Sequence, residues 1–303
     1  MKRSTVRILL FLVTIVWGSG YVVNEMLLQA ISPFQILTGR FLLTFLILAF
    51  LARTKIKYIQ KNTIQKGIIL GILLFTAFSL QTVGLLFTTP SKNAFLTQIS
   101  VVFVPIISFF FFKQRVLLKT QLGILISLIG VTFMSLNGFG SINIGDVLSI
   151  LCALFFALQV IMMGQFVQKE DAISLMFIQM GTASILSLSV NIMQRNVYMG
   201  GNSTVNMLLI YLAVFGTLFG YGVQTAAQKV VTASEISLIL SLESFWGMML
   251  SIVFLKEVVK GREMFGAWLI LIGVLVSQIP FPRKTWKPTY GTKKVEQATQ
   301  TKK

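Results

Sequence analysis

Charge inside a long apolar run is costly enough to mark a functional candidate, and this chain has three such side chains: Glu25, Arg40 and Glu243. Glu25 stands about six residues before the end of its run and Arg40 about six residues into the next, so at ~1.5 Å per residue both lie about 9–10 Å deep from the same side. A hairpin of the two runs can bring them together. They then form either a charged clamp or gate for a zwitterionic solute, or an ion pair that pins the hairpin. Glu243 has no obvious basic neighbour, Lys229 being the nearest candidate. Burial disfavours the charged form of a lone carboxyl, which suits a residue that takes up and releases a proton. A neutral glutamic acid that holds helices together by hydrogen bonding is the competing reading.

Neutral groups accompany these charges. Trp17, Gly18, Ser19, Gly20 and Tyr21 lie consecutively near the middle of the first run. Glycine and serine let a helix bend or another backbone approach, and the two rings offer faces to a cation. Asn24, Gln81, Gln98, Gln159, Gln179 and Gln224 also lie in apolar surroundings, where an amide must find a partner. Gln81, Gln159 and Gln224 are expected to line a central polar cavity; interhelical hydrogen bonds are the alternative.

Other chemistry is excluded by what the sequence lacks. It has no histidine, which removes Ser-His-Asp and Cys-His nucleophiles, the HExxH zinc site and the imidazole switch. The single Cys152 makes neither a disulfide nor a metal site. No phosphate-binding G-x-x-x-x-G-K-[ST] loop is present. No catalytic residue, metal ligand or cofactor is expected.

The elements that carry these residues follow from composition. Of 303 residues 55% are hydrophobic and 12% charged, against roughly 25% charged in a soluble domain. A water-facing surface cannot be covered with so little charge, so the chain is expected to be an all-α integral membrane protein in a lipid bilayer. A span needs about 20 apolar residues, and ten candidates occur, at 8–28, 34–51, 67–87, 94–112, 121–136, 147–167, 173–193, 207–226, 236–255 and 264–279. The first resembles a signal peptide behind Lys2, Arg3 and Arg7, but with nine runs after it the expectation is a first transmembrane helix. The net charge of +17 comes in bursts between runs, a pattern of membrane-proximal loops and not of nucleic-acid binding. Lys and Arg divide 20 to 5 between the two sides, with Arg40 inside a span. That bias predicts both termini in the cytoplasm. The stretch 280–303 reads as a basic, disordered tail that fixes topology, and the one N-x-[ST] triplet, Asn202-Ser203-Thr204, reads as chance.

The chain also repeats itself at an offset of 143 residues. Gln81-Thr82 matches Gln224-Thr225, Ser91 matches Ser234, Lys113 matches Lys256, Gly123 matches Gly266, and Leu128-Ile129-Gly130-Val131 matches Leu271-Ile272-Gly273-Val274. Each half, 8–136 and 146–279, then holds five spans. Five is odd, so the second half must be inverted relative to the first, a plan of secondary transporters that bind solute near the midplane between their halves.

Three stretches resemble the EamA family of the drug/metabolite transporter superfamily. They are Trp17-Gly18-Ser19-Gly20-Tyr21, Pro33-Phe34 with Arg40-Phe41, and Leu242-Glu243-Ser244-Phe245-Trp246 with Phe254-Leu255-Lys256-Glu257. Ser244 and Lys256 depart from the proline and glycine frequent in the family. The resemblance covers about 8–279 and adds Trp246 to the cavity candidates Trp17, Ser19, Tyr21, Asn24, Gln81, Gln159 and Gln224. It implies a multi-pass membrane protein that exports or takes up small metabolites such as amino acids, or drugs. The expectation is a secondary transporter of a bacterial cell membrane, working by alternating access between the inverted halves with export as the expected direction, and Glu243 is the candidate for coupling it to protons. A membrane-embedded enzyme and a non-transporting scaffold are the other classes. The absence of histidine disfavours the first and the absence of any extramembrane domain the second.

Overall fold

A computed structural model of the chain describes residues 3–56, 58–112, 118–137, 141–197, 200, 202–231 and 233–278. The expected tail at 280–303 and the loop bearing Lys113, Gln114 and Arg115 lie outside the described residues.

Among the described residues ten helical spans run back and forth between two ends of a bundle. Spans one to three are Arg3–Leu28, Pro33–Leu51 and Lys61–Leu85, with a short helix, Arg53–Ile56, between the second and third. Span four is two helices, Pro90–Thr97 and Ser100–Phe112, and span five is Leu118–Ser135. Spans six and seven are Ile144–Phe166 and Ala172–Met193. Span eight passes from Ser203–Tyr211 through a π-helical stretch, Leu212–Phe219, into Gly220–Ala227. Span nine is again two helices, Ala233–Leu240 and Leu242–Leu255, and span ten is Gly261–Gln278. Among the described residues nine spans are long and apolar enough to cross a membrane; the tenth is 18 residues long and carries Arg262 and Glu263 in its first turn. The connection between spans five and six departs from the all-helical expectation by a two-residue antiparallel ladder, Leu136–Asn137 with Ser141–Ile142.

Local chemistry sets the starts. Ser32 caps span two in a capping box with Gln35, and Pro33 follows at the first helical position. Thr89 caps span four by accepting from Lys92 N, and Pro90 likewise stands at the first helical position. Asn202, the asparagine of the N-x-[ST] triplet, accepts from Val205 N at 3.2 Å. That triplet is therefore a helix cap.

The two halves pack on each other more than within themselves. Span one lies against span nine so closely that a Cβ at Gly18 would stand 2.5 Å from Trp246 Cβ and 2.9 Å from Gly247 N. Spans five and ten cross on glycine: a Cβ on Gly130 would meet Gly266 O at 2.7 Å, and one on Gly273 would meet Gly123 O at 2.6 Å. Gly123 and Gly266 are partners at the 143-residue offset, and so are Gly130 and Gly273. The contacts are thus reciprocal, and the partner number falls from 273 to 266 as the span-five number rises from 123 to 130. That is antiparallel pairing about a local two-fold, the signature of an isologous contact. Between the halves sits an aromatic core in which Phe41, Phe78 and Tyr221 pack with Leu37, Leu74, Met176 and Met180.

Candidate functional site

A cavity opens where helices are interrupted. Its volume is about 80 Å³, room for on the order of five waters at ~10–15 Å³ each. Its walls come from spans one to four, six, eight and nine, drawn from both halves.

Span four breaks at Gln98–Ile99 and span nine at Ser241. Gln98 and Ser241 are 143 residues apart, so the breaks are related by the repeat. A break frees carbonyls that hydrocarbon cannot satisfy, and it persists only where protein groups replace the lost bonds. Gln98 Nε2 donates to Leu240 O at 2.8 Å and to Glu243 Oε2 at 3.3 Å, Ser241 Oγ to Leu238 O at 2.6 Å, and Ser244 Oγ to Ser241 O at 2.9 Å. One amide from the first half therefore braces the break in the second. Glu243 falls in the first turn of Leu242–Leu255, where the helix end presents partial positive charge to a carboxylate. Ser100, its counterpart at the offset, faces the same cavity from span four.

Arg40 enters from span two with only 3% of its surface exposed. Its Nε donates to Thr217 Oγ1 at 3.1 Å, and its guanidinium carbon lies 4.1 Å from the centre of the Phe78 ring. Thr217 Oγ1 in turn donates to Leu212 O at 2.9 Å, five residues back, within the π-helical stretch. Trp17 Nε1 reaches the same stretch at Gly216 O, 2.7 Å. That approach requires a bare backbone, because a Cβ at Gly220 would fall 2.2 Å from Trp17 Nε1.

Amides complete the lining. Gln81 Nε2 donates to Tyr21 OH at 3.2 Å, Asn24 Nδ2 to Gly20 O at 2.7 Å, and Gln159 Nε2 to Gln179 Oε1 at 3.3 Å. Asn24 Oδ1, Gln159 Oε1 and Gln224 Oε1 are buried without a hydrogen-bond partner.

The structure brings eight of the eleven candidates together. Trp17, Tyr21, Asn24, Arg40, Gln81, Gln159, Gln224 and Glu243 all line the cavity, and three do not. Ser19 turns toward span eight, its hydroxyl 2.6 Å from Tyr211 OH. Trp246 packs edge-on against Phe11 and Phe245. Glu25 is half-buried near Glu257 and does not touch Arg40. Equal depth was a poor guide, because successive residues on a helix point about 100° apart: Asn24 takes the cavity-facing position and Glu25 the next one round. Arg40, which sequence reading did not set against Glu243, lines the same cavity, although no ion pair joins the two. Sequence reading missed Phe78 and Tyr221, whose rings meet at 6.1 Å. A signal was available: they are 143 residues apart, and each lies one turn before Gln81 or Gln224.

Known proteins match over the same length. A model of the EamA-like transporter family matches residues 5–136 and 143–278. A protein of Archaeoglobus fulgidus described as an uncharacterized transporter is 31% identical over 276 residues, 91% of this chain and 86% of its own. A Salmonella typhimurium protein described as a "probable amino-acid metabolite efflux pump" is 26% identical over 90% of this chain and 94% of its own. A crystal structure at 14% identity superposes with a TM-score of 0.69 over 91% of this chain and 97% of that one, a likeness of fold.

Proposed function

The chain belongs to the EamA-like transporter family of multi-pass membrane proteins, and from that premise we propose that it is a secondary transporter exporting small organic metabolites, amino acids among them, through the cavity between its halves. The observation that carries this reading is the pair of repeat-related breaks at Gln98–Ile99 and Ser241, which open onto one polar cavity walled by both halves. Interrupted helices around a site between inverted repeats allow the site to face either side by rocking one half against the other. The halves that rock are 8–136 and 146–279, and the 20-to-5 division of Lys and Arg puts both termini in the cytoplasm of a bacterial cell.

Transport is the work of this cavity, with no covalent step. Trp17, Tyr21, Asn24, Gln81, Gln159 and Gln224 contact the solute, and Glu243 carries the coupling proton. The same carboxylate faces Gln98, Tyr21 and Arg40, so gain or loss of its charge is felt by spans one, two and four at once. The similar Salmonella protein, described as an efflux pump, supports the export direction. Purified protein in liposomes loaded with labelled amino acids tests the reading. Efflux should be saturable and should respond to an imposed pH gradient, and Glu243→Gln should abolish that response while the protein stays folded. Absence of flux for every solute tried sinks the proposal; flux with unchanged pH dependence in Glu243→Gln removes the proton-coupling role alone.

A further inference from the structure

Arg40 is buried in the bundle among partners that carry no negative charge. A guanidinium has five N–H donors. Thr217 takes one of them and the Phe78 ring covers one face, and among the described residues no protein acceptor takes the others. Glu243 attracts it across the cavity yet forms no ion pair with it. A desolvated cation in this state is poorly compensated, and a planar fork of unused donors matches a carboxylate by two parallel hydrogen bonds.

The surrounding groups narrow the ligand further. Besides Glu243, the cavity presents Asn24 Oδ1, Gln159 Oε1 and Gln224 Oε1 without donors. Such a wall repels a phosphate dianion and welcomes an ammonium or amide hydrogen. We propose that Arg40 is the seat of a carboxylate borne by the transported solute, whose own donor group faces Glu243 and the amide oxygens. The inference rests on the transport reading and adds a selection rule to it: a solute passes with a carboxylate and is refused when that group is masked.

The test uses the purified full chain in lipid nanodiscs. Thermal unfolding is followed with each protein amino acid, with its carboxamide, and with the amine that lacks the carboxyl group. A bound ligand raises the apparent stability. The expected result is stabilisation by one or more amino acids and none by the matching amide or amine. Arg40→Gln should weaken binding by about a hundredfold, and Arg40→Lys, a charge without a fork, should recover part of it. Should Arg40→Gln fail to fold, the acid–amide comparison on the unaltered protein decides alone. Equal stabilisation by acid and amide overturns the seat, and so does a preference that survives in Arg40→Gln or silence across the whole panel. The transport reading fails separately: carboxylate-dependent binding without flux in liposomes leaves the seat and removes the carrier, while flux indifferent to the carboxylate does the reverse.

Discussion

Lys92 and Glu263 meet at 3.1 Å with 7% and 14% of their side chains exposed, whereas Arg7 and Glu235 meet at 2.7 Å with 58% and 27% exposed. The first pair sits at the end of the bundle where spans three and four turn, and the second at the end where the chain begins. Both tie one half to the other. At the first end Glu257 adds a second tie, accepting from Ser91 N at 3.2 Å and Ser91 Oγ at 2.8 Å in the opening turn of span four. The repeat places Glu235 where Lys92 stands in the other half, Thr120 where Glu263 stands and Gln114 where Glu257 stands. The backbone is two-fold related and the locking chemistry is not. Inverted repeats exchange two packings that mirror each other, and ties that differ between the two ends make those packings unequal in energy. Lys92–Glu263 and Glu257–Ser91 form the lock of the first end.

Reversing one charge in that lock should have the largest effect. Lys92→Glu sets a third carboxylate against Glu263 and Glu257, and breaking a buried pair costs about 3–5 kcal/mol. A cysteine placed at Ser100, with Cys152 replaced by alanine, should then react with a membrane-impermeant thiol reagent applied from the locked end, and Lys92→Glu with Glu263→Lys should return much of the protection. Unchanged labelling in the single variant would mean that the two ends are equivalent after all. Glu257→Gln is a gentler break. The amide still accepts from Ser91 but removes charge from a helix N-terminus, worth about 1 kcal/mol, so labelling should rise less than for Lys92→Glu.

At the opposite end the effects should be smaller and should depend on conditions. Glu170 there accepts from Lys66 Nζ at 2.5 Å, from Thr63 Oγ1 and from Asn62 Nδ2 at 3.0 Å. Lys66 in particular holds its carboxyl below the usual carboxylate range. A group whose folded value is depressed stabilises above its unfolded value, ~4.3 for Glu, and loses that contribution as the pH falls through the folded value. The melting temperatures of the unaltered protein and Glu170→Gln should therefore differ at neutral pH, by a contribution on the order of 1 kcal/mol, and converge in acid. Arg7→Gln should matter least, at roughly 0.2–1 kcal/mol and less in high salt, read as a shift in unfolding temperature that added salt erases. A loss as large as that of Lys92→Glu would reverse the ranking of the two ends.

Much of this was legible before any coordinates. Hydropathy and length locate the spans because the bilayer fixes both, and the repeat pairs Gln81 with Gln224, which line the cavity from the two halves. The interruptions at Gln98–Ile99 and Ser241 were not legible, since no local breaker stands at either place; Pro105 lies within the helix Ser100–Phe112 and does not end it. They exist because distant side chains, Gln98 above all, replace the lost backbone bonds. The π-helical stretch Leu212–Phe219 is similar, sustained by Thr217 and reached by Arg40 and Trp17 from other spans. Glu25 was misassigned for a simpler reason: counting residues from a span's end gives height in the membrane and leaves the direction around the helix undetermined.

The seam of spans five and ten carries a consequence of its own. Gly123, Ser127 and Gly130 supply one side of it, and Gly266 and Gly273, partners of the two glycines by the repeat, supply the other. A single five-span half therefore owns both faces of the joint and needs only a second copy, inserted upside down, to close it. Two copies of such a half, inserted in opposite orientations, would present both faces of that joint to each other. The same joint makes the present chain divisible: two fragments, separated in the connection around residues 138–140 and expressed together, should find each other along that glycine seam.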